Sequence, residues 1–141
     1  MTDERGSITP LIIGFVLVVA MLVAVVIDAS AAFLVRQRLD SIADAAALAA
    51  TEGLAGDVAY DGGLDDRAQI DGAAARRYAA ASIAVSAGGE PGIAGIGFEV
   101  HAHNRVVEVD VHAPLHLPIP VPGVTGSTVT GHAASAVEIR R

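Results

Sequence analysis

A chain of 141 residues with a formal net charge of −7 has the length of one domain, and it lacks the basic surface that nucleic-acid binding needs to release phosphate counterions. All nine basic residues are Arg, and with no Cys there are neither disulfides nor thiolate chemistry. Hydrophobic residues make up 52 % but aromatics only 4 %, so outside the apolar N-terminal part the core must be small and built from short side chains.

Residues 1–9 form a short tail, and residues 10–35 have the character of a transmembrane helix. The unbroken apolar run from Leu11 to Ile27 rises about 25 Å as a helix, and continuation through Val35 carries it past the ~30 Å hydrocarbon layer. Thr9 is placed to cap the first free N–H groups, and Pro10 at the first helical position lacks a donor that would go unused. Gly14 is the one residue of low helix propensity in the run and offers a neighbouring helix a close approach. Asp28 ends the run. It either marks the depth at which the helix leaves the membrane or pairs with a polar group on a neighbouring membrane helix and fixes register. Arg36 and Arg38 lie two turns or more further on.

Ala29-Ser30-Ala31 fits the pattern that signal peptidase reads, and cleavage there would release a soluble module. Against this, the leading segment "MTDER" is poor in positive charge, the apolar run is long for a signal, and helical character continues through the cut. The retained anchor is the stronger reading. Orientation stays open from charge, because Arg5 lies on one side of the run and Arg36 and Arg38 on the other.

Residues 36–52 extend the helix as an amphipathic segment. Val35, Leu39, Ile42, Ala46 and Ala49 fall on one stripe, with Arg36, Arg38, Asp40 and Asp44 away from it. The stripe ends in small residues suited to close approach, which makes Leu39, Ile42, Ala46 and Ala49 candidate partner contacts. Gly53 is the expected terminator.

Taken together, Arg5-Gly6, the apolar run, Asp28, Phe33 and the "ADAAALAA" of residues 43–50 resemble the N-terminal signature of the TadE/TadG-like proteins of the Flp (tight adherence) pilus system. The segment "LPIPVPGVTGSTVTGHAASAVEI" is also similar to that family. The resemblance implies an envelope protein with one membrane helix, an external C-terminal part and a role in pilus assembly. Family members cut by a prepilin peptidase carry Glu at the fifth position after a Gly. Here the fifth residue after Gly6 is Leu11, so the uncleaved, TadG-related type is the closer fit.

Residues 53–141 make up the external α+β domain. "GLAGDVAYDGGLDD" reads as a solvated loop with a helix cap at Asp65. Its acids Asp57, Asp61, Asp65 and Asp66 lack EF-hand spacing for Ca²⁺. A second helix follows, with Ile70, Ala74, Tyr78, Ala81 and Val85 as its face, Arg76-Arg77 at its edge or outside, and an end at Gly88-Gly89. In "GFEVHAHNRVVEVDVHAPL" an Asn104-Arg105 turn puts Phe98, Val100 and Ala102 on one face with Val107, Val109 and Val111. A four-residue loop of the same parity is the alternative. "STVTGHAASAVEIR" supplies a third strand. Between them "PLHLPIPVPG" is an extended apolar connector that either packs on the sheet or exposes Leu117, Ile119 and Val121 to a partner.

His101 and His103 point the same way, with Glu108 opposite His101 in that register, and two His plus a carboxylate can hold Zn²⁺. Polar residues on the wet side of a hairpin account for the same pattern more simply, with Glu108 pairing His101. Glu99 facing Asp110 is a like-charge pair without an evident reason, and His116 and His132 look isolated. No nucleophile elbow, phosphate loop or triad-like set is present.

The expectation is therefore an α+β, pilin-like architecture: a long N-terminal helix, a second helix and a small antiparallel sheet. With it goes a non-enzymatic single-pass component of a pilus assembly or secretion apparatus. It has no cofactor and no metal, and its partners are other pilus-assembly membrane proteins or pilin-like subunits. The alternative is a secreted binding module released after Ala31.

Overall fold

The computed structural model describes residues 8–60, 71–88, 95–116 and 127–137. Its elements are α1 (Ile8–Tyr60), α2 (Gly72–Ala87), β1 (Gly97–His103), β2 (Val106–Pro114) and β3 (Thr128–Ala136). The strands form one antiparallel sheet in the order β1-β2-β3, and the packed half of α1 lies with α2 on one of its faces. The expected α+β class, with one long helix, a second helix and a small sheet, is what the chain forms.

The hairpin turns through Asn104 and Arg105 alone. Asn104 has φ 55°, a left-handed conformation that Asn tolerates better than most residues. His103 thus pairs with Val106, and Phe98, Val100 and Ala102 oppose Val111, Val109 and Val107 as the parity required. On the inner face Val107, Val109 and Val111 are fully buried. β3 contributes Val129, Gly131, Ala133 and Ser135 to that face, opposite Ala113, Val111, Val109 and Val107. Side-chain size therefore falls across the sheet from Phe98 to Gly131.

That gradient decides where α1 lies. A Cβ on Gly131 would collide with the Leu39 carbonyl carbon and come within 2.5 Å of the Asp40 nitrogen, so the α1 backbone itself rests on β3. Leu39, Ile42, Ala43, Ala46, Ala47, Ala50 and Leu54 are buried against the sheet and α2. Thr51 is the one buried polar residue among those described. Its hydroxyl meets the Leu48 carbonyl at 2.9 Å and the Ser135 hydroxyl at 3.1 Å, so it is not left unpaired.

α1 does not end at Gly53. It continues to Tyr60, so residues 53–60 are helix rather than the expected loop, and a boundary at 53 falls inside the packed half of the helix. The Tyr78 ring takes the place of a Gly53 side chain, since a Cβ there would lie 2.6 Å from the ring. Gly53 marks a close helix–helix approach, and its lower helix propensity, about 1 kcal/mol against Ala, is offset by that packing.

α2 begins at Asp71, whose carboxylate accepts a hydrogen bond from the Ala73 amide at 2.9 Å. Asp65, the expected cap, lies outside the described residues, as does Ile70. The buried face of α2 is Ala74, Ala75, Ala79 and Ile83. Of the expected face, Ala74 is buried and Tyr78 partly so, whereas Ala81 is exposed and Val85 is 83 % exposed. Because half of the sixteen positions in this helix are Ala, the apolar pattern carried too little contrast to orient the face.

Candidate functional site

The feature that sets this chain apart is the first half of α1. From Ile8 to Ile27 fifteen large apolar side chains are exposed, and Phe33 and Leu34 follow them. Leaving so many in water at about 1.5–3 kcal/mol each would cost more than a typical domain's whole stability. The 18-residue stretch with mean hydropathy 3.1 has none of its residues buried in the chain, so this is not the core helix of a soluble fold. Its length and composition suffice to cross a membrane, although a signal sequence would pass the same test.

Inside this half the polar groups are few. The Ser30 hydroxyl donates to the Val26 carbonyl at 2.7 Å, satisfying itself within the helix as an apolar surrounding demands. Thr9 and Pro10 lie in the first turn of the described helix, which starts at Ile8. Gly14 has open space where a side chain would be. Asp28 is half-exposed directly after Ile27.

The stripe expected to meet a partner turns inward. Leu39, Ile42 and Ala46 are buried in the chain's own core and Ala49 is half-buried, so the close approach those small residues permit is made to α2 and β3. Leu117, Ile119 and Val121 lie outside the described residues. The flanks of their segment meet where the Leu115 amide donates to the Ser127 carbonyl at 2.8 Å.

The outer face of the sheet carries Glu99, His101 and His103 from β1, Glu108, Asp110 and His112 from β2, and His132 from β3. His101 is indeed opposite Glu108, but its ring lies nearer Glu99, with Nε2 3.6 Å from a carboxylate oxygen. No group of three metal-ligating side chains comes together among the described residues. His132 is not isolated: its Nδ1 is 2.7 Å from an Asp110 oxygen. That hydrogen bond, helped by the carboxylate's charge, raises the His132 pKa above the ordinary value. It also gives Asp110 a partner beside the like-charged Glu99. The pair was invisible in the sequence because it depends on the β2–β3 register, across a long connection without a diagnostic turn.

Asp57 belongs to the end of α1. The Tyr78 hydroxyl lies 3.0 Å from both of its carboxylate oxygens, and accepting that proton raises the tyrosine pKa. Asp57 is thus a helix–helix contact; Asp61, Asp65 and Asp66 lie outside the described residues. Arg76, exposed on α2, stacks 5.6 Å from the Phe98 ring centre.

Residues 6–87, more than half of the chain, match the model of a family described as Flp pilus-assembly TadE/G-like. No curated protein and no solved structure matches the chain.

Proposed function

The chain belongs to the TadE/G-like Flp pilus-assembly family, and from that premise we propose that it is a single-pass, non-enzymatic membrane component of the pilus assembly apparatus. The observation that carries the proposal is the division of α1. One helix is bare and apolar up to Leu34, and from Leu39 it forms the spine of a folded domain. A membrane accounts for the bare half, and the packed half transmits the position of the anchor to the domain without a flexible joint. In this reading residues 10–35 span the membrane, with the domain on the extracytoplasmic side, and Gly14 and Asp28 face other membrane helices of the apparatus. Catalysis has no role in it, since the family is one of assembly components.

One observation keeps the secreted module in view. The first side chains packed on the core are Val35 and Leu39, so cleavage after Ala31 would leave the domain whole. Intact mass measured on membrane and culture-medium fractions of the native host separates the two. A full-length chain that stays in the membrane pellet through alkaline extraction is the expected result. A chain beginning at Ala32 in the medium would replace the anchor reading with the released module.

A further inference from the structure

Just beyond the bare half of α1, between it and α2, lies a hollow of about 320 Å³, the small end of the usual range for ligand pockets. Gln37, Arg38, Ser41, Ile42 and Ser86 line it, and Ile42 is a buried apolar wall. Each polar side chain around the hollow offers an N–H or O–H donor, and among the described residues none is a carboxylate. Arg38 is also engaged elsewhere within the chain, and the five donors of a guanidinium leave capacity for a second acceptor.

The depth of the hollow follows from α1 alone. Gln37 and Arg38 come three and four residues after Leu34, a rise of about 4.5–6 Å, and share its side of the helix. Leu34 is 52 % exposed there, and half-buried Ala31 lies one turn below it. Tyr78 lies over Gly53 and reaches Asp57, so eight residues later Ser86 of the antiparallel α2 stands roughly level with Ala45. Ser86 thus bounds the hollow on the side away from the bare half, and Leu34 is its exposed neighbour on the other.

A headgroup layer is about 5–8 Å thick on each side of a ~30 Å hydrocarbon core. The apolar stretch from Ile8 to Leu34 is about 40 Å long, and a tilt near the upper end of the usual range fits it to that core. With the helix leaving the hydrocarbon at Leu34, Arg38 falls within the headgroup layer. An exit at Asp28 would leave Arg38 about 15 Å beyond the hydrocarbon, in water.

Resting on the anchor reading above, the geometry points to a site for the phosphodiester of a membrane phospholipid. Arg38 holds the phosphate oxygens, Ser41 and Ser86 donate to them from the two helices, and the acyl chains run past Leu34 and Ala31. A free phosphate offers the same oxyanion. Two observations select the lipid: apolar surface continues directly below the hollow, and a chain of net charge −7 does not concentrate soluble anions.

Native mass spectrometry of the full-length protein in neutral maltoside micelles tests the site, with dioleoylphosphatidylglycerol as the probe. One lipid should be retained per chain. Arg38→Gln should weaken retention at least about tenfold, and the Ser41→Ala, Ser86→Ala double variant about threefold. Dioleoylglycerol, which lacks the phosphate, should be held at least about tenfold more weakly, and inorganic phosphate at equal concentration should not displace the phospholipid. Retention unchanged in Arg38→Gln overturns the site; the serine variant decides in its place if circular dichroism shows Arg38→Gln to be misfolded. Dioleoylglycerol held as tightly as the phospholipid would reduce the hollow to an apolar contact. Displacement by inorganic phosphate would assign it to a soluble anion, and either result overturns the proposal while leaving the anchor standing. A full-length chain washed from phosphatidylglycerol vesicles by alkaline extraction would sink the anchor reading itself, and the lipid site with it.

Discussion

Asp110 and His132 show how one residue acquires a property that its neighbours in the chain do not suggest. Their 2.7 Å contact crosses from β2 to β3, and it favours the protonated imidazole. With the folded pKa above the unfolded value, the pair's stabilisation is complete below about pH 6.5 and is lost as pH rises through the folded value. A proton NMR titration should place His132 above 6.5, and Asp110→Asn should return it towards that value. A midpoint unmoved by the Asp110→Asn substitution would show that the contact does not set it. At the same scale, the hairpin's parity could be read directly, because alternating Val and acidic residues leave only one set that can be buried. The role of Gly53 could not, because a glycine that ends a helix and one that admits a tyrosine ring look alike in a linear sequence.

Among the elements, the meeting of α1 and β3 is the tightest constraint. Small residues on both sides (Ala43, Ala46 and Ala47 on α1, Gly131 and Ala133 on β3) bring backbone against strand, and a methyl group at Gly131 has only backbone to push against. Gly131→Ala should therefore destabilise the domain by about 2 kcal/mol or more, towards or beyond the upper part of the usual overpacking range. Thermal unfolding of the detergent-solubilised protein checks this, and an unchanged midpoint would mean that α1 and β3 can separate cheaply. The stripe of α1 was legible from its three- and four-residue steps, yet its partner was not. An apolar stripe states that a surface is covered; it does not distinguish a strand of the same chain from another molecule. α2 failed differently, since an alanine-rich helix has too little contrast between its faces for periodicity to orient it.

For the molecule as a whole, the two halves of α1 have opposite requirements, one for an apolar surrounding and one for a folded partner. Their separation gives a direct expectation. A chain beginning at Phe33 retains every buried residue among those described, from Leu39 onward, and should be soluble, monomeric and cooperatively folded. Circular dichroism with a thermal melt tests it. A molten or aggregated product would show that the anchor half contributes to the fold, and would also weaken the case for a released module.

By itself the sequence determined the long helix with its apolar first half, the parity of the hairpin, and the family. Each of these follows from local information: hydropathy over one membrane thickness, alternation along a strand, a contiguous signature. Only the tertiary structure decided that the amphipathic half of α1 is spent on the chain's own sheet and second helix, that α2 leaves Val85 exposed, and that His132 pairs with Asp110. Those outcomes depend on which strand lies next to which helix and at what distance. That is set by side-chain size across the sheet, down to the single glycine against which α1 rests.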